Sequence, residues 1–250
     1  MSYFQSRDYN LAVARGNVSG VSMVGKFGNN PSIASGATEA ITFSGAISWL
    51  TAATTVRVKA GGNAADTAAG AGAQQITIVG LDSSWNEVSE TVATAGASAS
   101  AATTATFIRV YRAYVGNVGT YTVSNTGNVT IENSAGGTDL ITIQAARGQT
   151  QTTQYTVPLG KTAYLTSIFA NVDSSKSCDL FMYQRQNADD VTTPFQGVRL
   201  ITSFPGLLGT AVRNLQSYPS FPAKTDLWFT AENSVGAVSA VGVRYELFLV

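Results

Sequence analysis

The chain is expected to be all-β, with its strands in antiparallel sandwiches. Three observations predict this. No window of ordinary helix length keeps apolar residues at i, i+3, i+4 and i+7. Short runs alternating apolar and polar residues recur along the 250 residues, separated by Gly, Pro, Asn and Asp. Charged residues are only 12% of the chain, against about 25% in an ordinary soluble domain, and Gly, Ala, Ser and Thr take their place. Evenly spaced short strands of this kind build jelly-roll or Greek-key sandwiches.

The first residues differ from the rest. Tyr3, Phe4 and Tyr9 stand among polar residues, and Gly16, Gly20, Gly25 and Gly28 punctuate the stretch up to residue 32. Residues 1–32 read as an extended arm. Disordered tails are poor in aromatics, so the arm is expected to dock on a neighbouring subunit.

Residues 33–148 read as a first β-sandwich. Ile76–Val79 leads through Gly80-Leu81-Asp82 and returns along Val88, Glu90 and Val92. Phe107 to Arg112 alternates so that either face suits burial. Tyr121 and Val123 run to Asn125-Thr126-Gly127, and Val129 and Ile131 return. Asn and Gly supply the positive φ a hairpin turn needs, which predicts a hairpin there. Leu140 to Ile143 is a further strand. The Ala-rich stretch Ser98–Ala105 reads as a loop, because its Ser and Thr residues compete with helix.

The polar stretch GQTQTTQ (Gly148–Gln154) lacks periodicity and predicts a linker or domain seam. Residues 149–250 read as a second β-sandwich. Tyr155–Ile168 gives a strand, a Pro/Gly corner and a longer strand. Further strands are expected at Leu180–Arg185, Val198–Ser203, Asp226–Glu232 and Val238–Val250. In the last, Val241, Val243, Tyr245, Leu247 and Leu249 form one face. Phe204-Pro205-Gly206 and Tyr218-Pro219-Ser220-Phe221-Pro222 mark loops whose aromatics look exposed, which suits contact surfaces. The expected interface residues are thus Tyr3, Phe4, Tyr9, Phe204, Tyr218 and Phe221.

The composition is poor in reactive groups. There is no His and one Cys, so no histidine triad or intrachain disulfide is available and zinc is disfavoured. Cys178 reads as a small buried hydrophobe on a strand. No lysine lies in a Ser-x-x-Lys motif. Glycoside hydrolysis needs two carboxyl groups about 5–9.5 Å apart. Asp189-Asp190 would point to opposite strand faces and reads instead as a turn, as does Asp173. The glycine pairs at Gly61-Gly62 and Gly70-Ala71-Gly72 introduce no helix that would cradle a phosphate. Tyr111, Tyr114 and Tyr121 suit a sugar-binding surface, but strand tyrosines usually pack. No catalytic residue, cofactor or metal site is expected. Fifteen basic residues balance fifteen acidic ones, with no basic stripe for nucleic acid. No run approaches the ~20 apolar residues of a membrane span. The N-terminus lacks an apolar signal core, so synthesis and assembly in the cytosol are expected. A nearly neutral surface tends to associate.

Three stretches carry a resemblance. RGNVSGVSMVGKFGNNPSI (Arg15–Ile33), ITIVGLDSSWNEVSETVATAG (Ile76–Gly96) and FIRVYRAYVGNVGTYTVSNTGNVTI (Phe107–Ile131) resemble virion structural proteins of marine tailed bacteriophages, cyanophages among them. The likeness spans about the first 145 residues and assigns no active residue. It implies a particle component located in the virion. A capsid decoration, or cement, protein is the first expectation. It would be a homo-oligomer, with a trimer favoured, bound to the major capsid protein. A tail, neck or fibre-tip piece for host attachment is the second, and a glycan depolymerase the third.

Overall fold

The computed structural model describes residues 9–173, 175–233 and 238–250. A short helix, α1 (Tyr9–Ala14), precedes β1 (Ser22–Ile33) and β2 (Thr38–Ala40). Then come β3 (Thr54–Val58), β4 (Ala73–Leu81), β5 (Glu87–Ala93), β6 (Thr106–Phe107), β7 (Arg109–Val118), β8 (Val129–Asn133) and β9 (Asp139–Ile143). The chain ends with β10 (Tyr155–Thr156), β11 (Ala163–Val172), β12 (Cys178–Arg185), β13 (Arg199–Leu207), β14 (Thr210–Asn214), β15 (Ser220–Phe221), β16 (Asp226–Glu232) and β17 (Ser239–Leu249). Every pairing between these strands is antiparallel.

The larger body is a jelly roll. One sheet has the order β1-β17-β11-β14, with β15 also on β11, and the other runs β10-β16-β12-β13, with β2 also on β16. Numbering β1, β2, β11, β12, β13, β14, β16 and β17 as 1 to 8, the sheets read 1-8-3-6 and 2-7-4-5. That is the double Greek key of an eight-stranded jelly roll. Alternation decides which side chains meet between the sheets. Leu165, Ile168 and Ala170 of β11, Leu180 and Met182 of β12, Phe229 of β16, and Val241, Tyr245 and Leu247 of β17 are fully buried. The Phe229 and Tyr245 rings meet across the sheets at 5.5 Å. Cys178 lies in this core, as expected.

The smaller sandwich is an insertion between β2 and β10. It stacks β6-β3-β8-β9 on β5-β4-β7, around a separate core that includes Val56, Ile76, Ile78, Phe107, Ile131 and Ile141. The β4–β5 hairpin follows the expected alternation, with Val79 opposite Ser89 and Gly80 opposite Val88. Gly80 is required there, because a Cβ would collide with the Arg109 carbonyl.

Three expectations are corrected. The arm expected over residues 1–32 is instead, from Ser22 onward, a 12-residue strand whose register with β17 runs from Ser22↔Leu249 to Asn30↔Val241. Tyr9 belongs to α1, which Gly16 ends with a φ of 72°. Ile33 and Ile41 belong to the jelly-roll core, so the boundary placed at residue 33 cuts through that domain, which the chain enters, leaves and re-enters. The hairpin expected across Asn125–Gly127 has only its returning strand, β8. Tyr121 is in a loop and almost fully exposed, and the Asn125 side chain is buried, donating to the carbonyls of Gly127 and Gln144.

The polar seam is also not a solvated linker. Thr150, Thr152, Thr153 and Gln154 are buried. Ala113 N donates to Thr150 Oγ1 at 3.0 Å, Gln154 Nε2 to the Val110 carbonyl at 2.6 Å, and Phe229 N to Thr153 Oγ1 at 3.1 Å. Thr150, Thr153 and Gln154 thus satisfy backbone groups of both bodies where the two meet. An ion pair completes the junction. Arg109 of β7 holds Asp226 of β16 by two bonds of 2.9 Å, and both side chains are almost wholly buried. Thr156 Oγ1 donates to the same carboxylate, and Arg109 also donates to the Leu50 carbonyl. The guanidinium lies 5.1 Å from the Trp49 ring and 5.0 Å from that of Trp85.

Candidate binding surfaces

Two surfaces of the jelly roll are left open. The first is a wall made by β13, β14 and their flanking loops. Among the described residues β13 pairs only with β12, and β14 only with β11. Their outer backbone edges face outward, the arrangement that invites another chain. Phe195, Val198, Leu200, Leu208, Val212 and Tyr218 are each more than half exposed here. From Val191 to Thr225 the sequence has Arg199, Arg213 and Lys224 and no Asp or Glu. Lys224 is already paired with Asp189 at 2.6 Å. Arg213 ties the two edges together. It donates to Thr202 Oγ1 and lies 4.3 Å from the Phe204 ring centroid. The wall is therefore apolar, weakly basic and internally braced.

The second is a cleft of about 650 Å³ where the outer face of the first sheet meets the inserted sandwich. Register builds its floor. Phe27 of β1, Arg244 of β17 and Phe169 of β11 form one row across three strands. Asn29, Gly242 and Asn171 form the next row. Arg112 and Gln149–Gln151 form the far side. Gly25 opens the floor, since a Cβ there would touch nothing within 4 Å. Gly242 has the opposite role. Its missing Cβ lets Asn171 Oδ1 lie over the strand, 2.5 Å from where that atom would be.

The cleft's charge is positive. Arg112, Arg244 and Lys26 line it, and among the described residues no Asp or Glu does. Arg244 donates to Glu246 at 2.8 Å and Arg112 to Gln149 at 3.3 Å. The first of these contacts is an ion pair, whereas Gln149 is neutral and leaves the Arg112 charge uncompensated. Lys26 is buried, with Nζ donating to the Tyr111 carbonyl at 2.6 Å and 5.4 Å from its ring centroid. Burial, and then the nearby Arg112 charge, lower its pKa to about 7.

The expected interface residues separate. Tyr3 and Phe4 lie outside the described residues. Tyr9 sets its ring edge-on against Phe248 at 5.6 Å, covering the outer face of β17 near its end. Tyr218 is exposed on the wall. Phe204 and Phe221 are corrections: both are buried. Phe204 lies beneath Arg213, and Phe221 pairs opposite Ala163 with its ring in the core. Tyr111, Tyr114 and Tyr121 do not form one surface, since Tyr111 is buried and Tyr121 stands in a loop. Asp190 caps a turn by accepting from Thr192 N, and Asp173 does the same for Ser175 N. Among the described residues no three metal-ligating side chains cluster, and no helix is long and apolar enough to cross a membrane. Sequence reading missed the Phe27–Arg244–Phe169 row. The available signal was Phe169 and Arg244 on the polar phase of otherwise regular strands.

No family model and no curated protein matches the chain. Among solved structures it is similar to an isomalto-dextranase of Arthrobacter globiformis T6 complexed with panose, at 16% identity and a TM-score of 0.24. That match covers 91% of this chain and spans about a third of the enzyme, 35% of its length. It is also similar to infectious bursal disease virus, Gx strain, at 10% identity and a TM-score of 0.24, covering 92% of this chain and 76% of that one. Likenesses this low carry no functional argument.

Proposed function

We propose that this chain is a structural component of a tailed-bacteriophage particle, a capsid decoration protein that reinforces the outer shell. The observation that carries the reading is the uncovered wall of β13 and β14. The two open sheet edges and their flanking loops carry six exposed apolar side chains, Leu200 and Val212 on the strands themselves, and no acidic residue. Monomers avoid such edges unless something covers them. The wall would meet the major capsid protein or a second copy. A closed trimer would form by repeating one contact about a threefold axis. Burial would stabilise the contact by about 25 cal/mol per Å² of apolar surface removed from water. The resemblance of Arg15–Ile33, Ile76–Gly96 and Phe107–Ile131 to virion proteins supports the same reading and a location in the particle.

The reading contains no catalytic step. Glycoside hydrolysis uses paired carboxyl groups, whereas the cleft is lined by amides, phenyl rings and basic groups. A tail, neck or fibre-tip role in host attachment is the second reading, and the cleft is the feature that favours it.

Copy number tests the proposal. Quantitative mass spectrometry of purified particles should give about one chain per capsid subunit, the ratio for one trimer on each local threefold position where three subunits meet. A ratio of a few per hundred would overturn the decoration reading and move the chain to the tail or neck.

A further inference from the structure

We infer that the cleft between the outer jelly-roll face and the inserted sandwich binds an acidic polysaccharide, a chain of sugars bearing carboxylate or sulfate groups. The inference does not depend on the wall or on what covers it.

Its size is the first argument. About 650 Å³ lies within the roughly 300–1,000 Å³ typical of small-ligand clefts and holds a short oligosaccharide. The second argument is the layout of the floor. Phe27 and Phe169 flank Arg244 in one cross-strand row, about 9–10 Å apart, or two inter-strand spacings. Both rings are partly exposed, at 38% and 42%. A sugar presents an apolar C–H face and a polar rim, so it can lie on a ring while its hydroxyls reach neighbouring amides. Asn29, Asn171 and Gln151 supply those amides, each with donor and acceptor atoms.

Charge decides which class of sugar. Among the described residues no Asp or Glu lines the cleft. Arg244 is ion-paired with Glu246 at 2.8 Å, whereas Arg112 donates to the neutral Gln149 at 3.3 Å, so Arg112 carries the uncompensated positive charge. A guanidinium binds carboxylate or sulfate through paired charge-assisted bonds. A neutral sugar would leave this charge unused. Nucleic acid fits less well, because the chain has zero net charge and no basic stripe to follow a phosphate backbone.

Gly25 gives a clean way to block the site. Its Cβ position is open and its φ is not in the left-handed region, so a large side chain would fill the cleft and leave the strand intact. Calorimetric titration would compare oligogalacturonate and a sulfated heparin oligosaccharide with neutral maltohexaose and single-stranded DNA. Binding of at least one acidic sugar is expected, weakened by added salt, with maltohexaose at least about tenfold weaker. Gly25→Trp, Phe169→Ala and Arg244→Ala should each weaken it by about tenfold or more, with unchanged circular dichroism. Arg244 is an exposed side chain, so its variant tests the site even if Gly25→Trp misfolds. Absence of saturable binding to both acidic sugars would overturn the inference. So would binding that Arg244→Ala and Phe169→Ala leave unchanged, or tighter binding of DNA than of either sugar. Wall substitutions should leave sugar binding intact, so failure here is distinguishable from failure of the decoration reading.

Discussion

The two long sides of the jelly roll face the same physical problem and meet it differently. On the β1, β2 and β10 side, the inserted sandwich covers the edge. Lys26 and Asp226 reach partners contributed by the insertion, and Thr153 of the seam bonds the jelly-roll backbone at Ile41 and Phe229. On the β13 and β14 side, nothing among the described residues covers the edge, and its side chains turn apolar. An edge closed within the chain is rich in buried polar bonds, because geometry can be specified once. An edge left for another chain presents exposed aliphatic groups, which associate with less demand on geometry.

The largest effect should come from breaking the closed side. Replacing Arg109 by Ala leaves Asp226 buried without its cation, which costs about 3–5 kcal/mol. Scanning calorimetry should then separate the unfolding of the two sandwiches. A single transition with an unchanged midpoint would mean the ion pair does not couple them.

Asp66 is the next test, confined to the insertion. Its carboxylate accepts from the backbone N–H groups of Ala73, Thr126 and Gly127 at 2.8–3.0 Å. Asp66→Ala should cost about 2–4 kcal/mol, with faster hydrogen exchange at those three amides while jelly-roll amides keep their protection.

Lys26 should move stability the other way. Its folded pKa of about 7 is below its ordinary 10.5. Between those pH values the unfolded chain binds a proton that the native chain does not. Stability therefore rises with pH across that window and is flat with respect to this group below it. Lys26→Met should raise stability at pH 7 by about 1–3 kcal/mol and remove most of that slope in denaturant titrations between pH 7 and 10.5. A destabilised variant would mean the bond to the Tyr111 carbonyl outweighs the cost of burying the amine.

The smallest effect on stability should come from the bare side. Leu200→Lys with Val212→Lys changes exposed groups, so the isolated chain should keep its stability within about 0.5 kcal/mol. Self-association followed by sedimentation, and binding to undecorated capsids, should nevertheless be lost. Retained binding would place the contact elsewhere.

Much of this was legible where one face of a strand is continuously apolar. β4, β11 and β17 follow their alternation closely, and β17 buries Val241, Val243, Tyr245 and Leu247 as a single row. β1 escaped because its inward residues include Lys26, Gly28 and Asn30, which do not look like a core face. Gly28 is there because the backbones of Ile41 and Thr153 approach too closely for a Cβ, and contacts that distant in sequence leave no local pattern. The same holds for Arg109 and Asp226, separated by 117 residues. Phe221 looked exposed because Pro222 and Pro219 flank it, yet pairing with β11 turns its ring inward. The binding surfaces were the least legible. Phe27, Arg244 and Phe169 become neighbours only through the register of three strands.

The central claim is that the β13–β14 wall is covered by another chain in the assembled particle. Hydrogen exchange at Arg199–Leu207 and Thr210–Asn214, compared between the isolated chain and purified particles, tests it most directly. Strong protection of both segments in the particle, with the outer face of β1 unchanged, is the expected result. Equal exchange in the two states would contradict it.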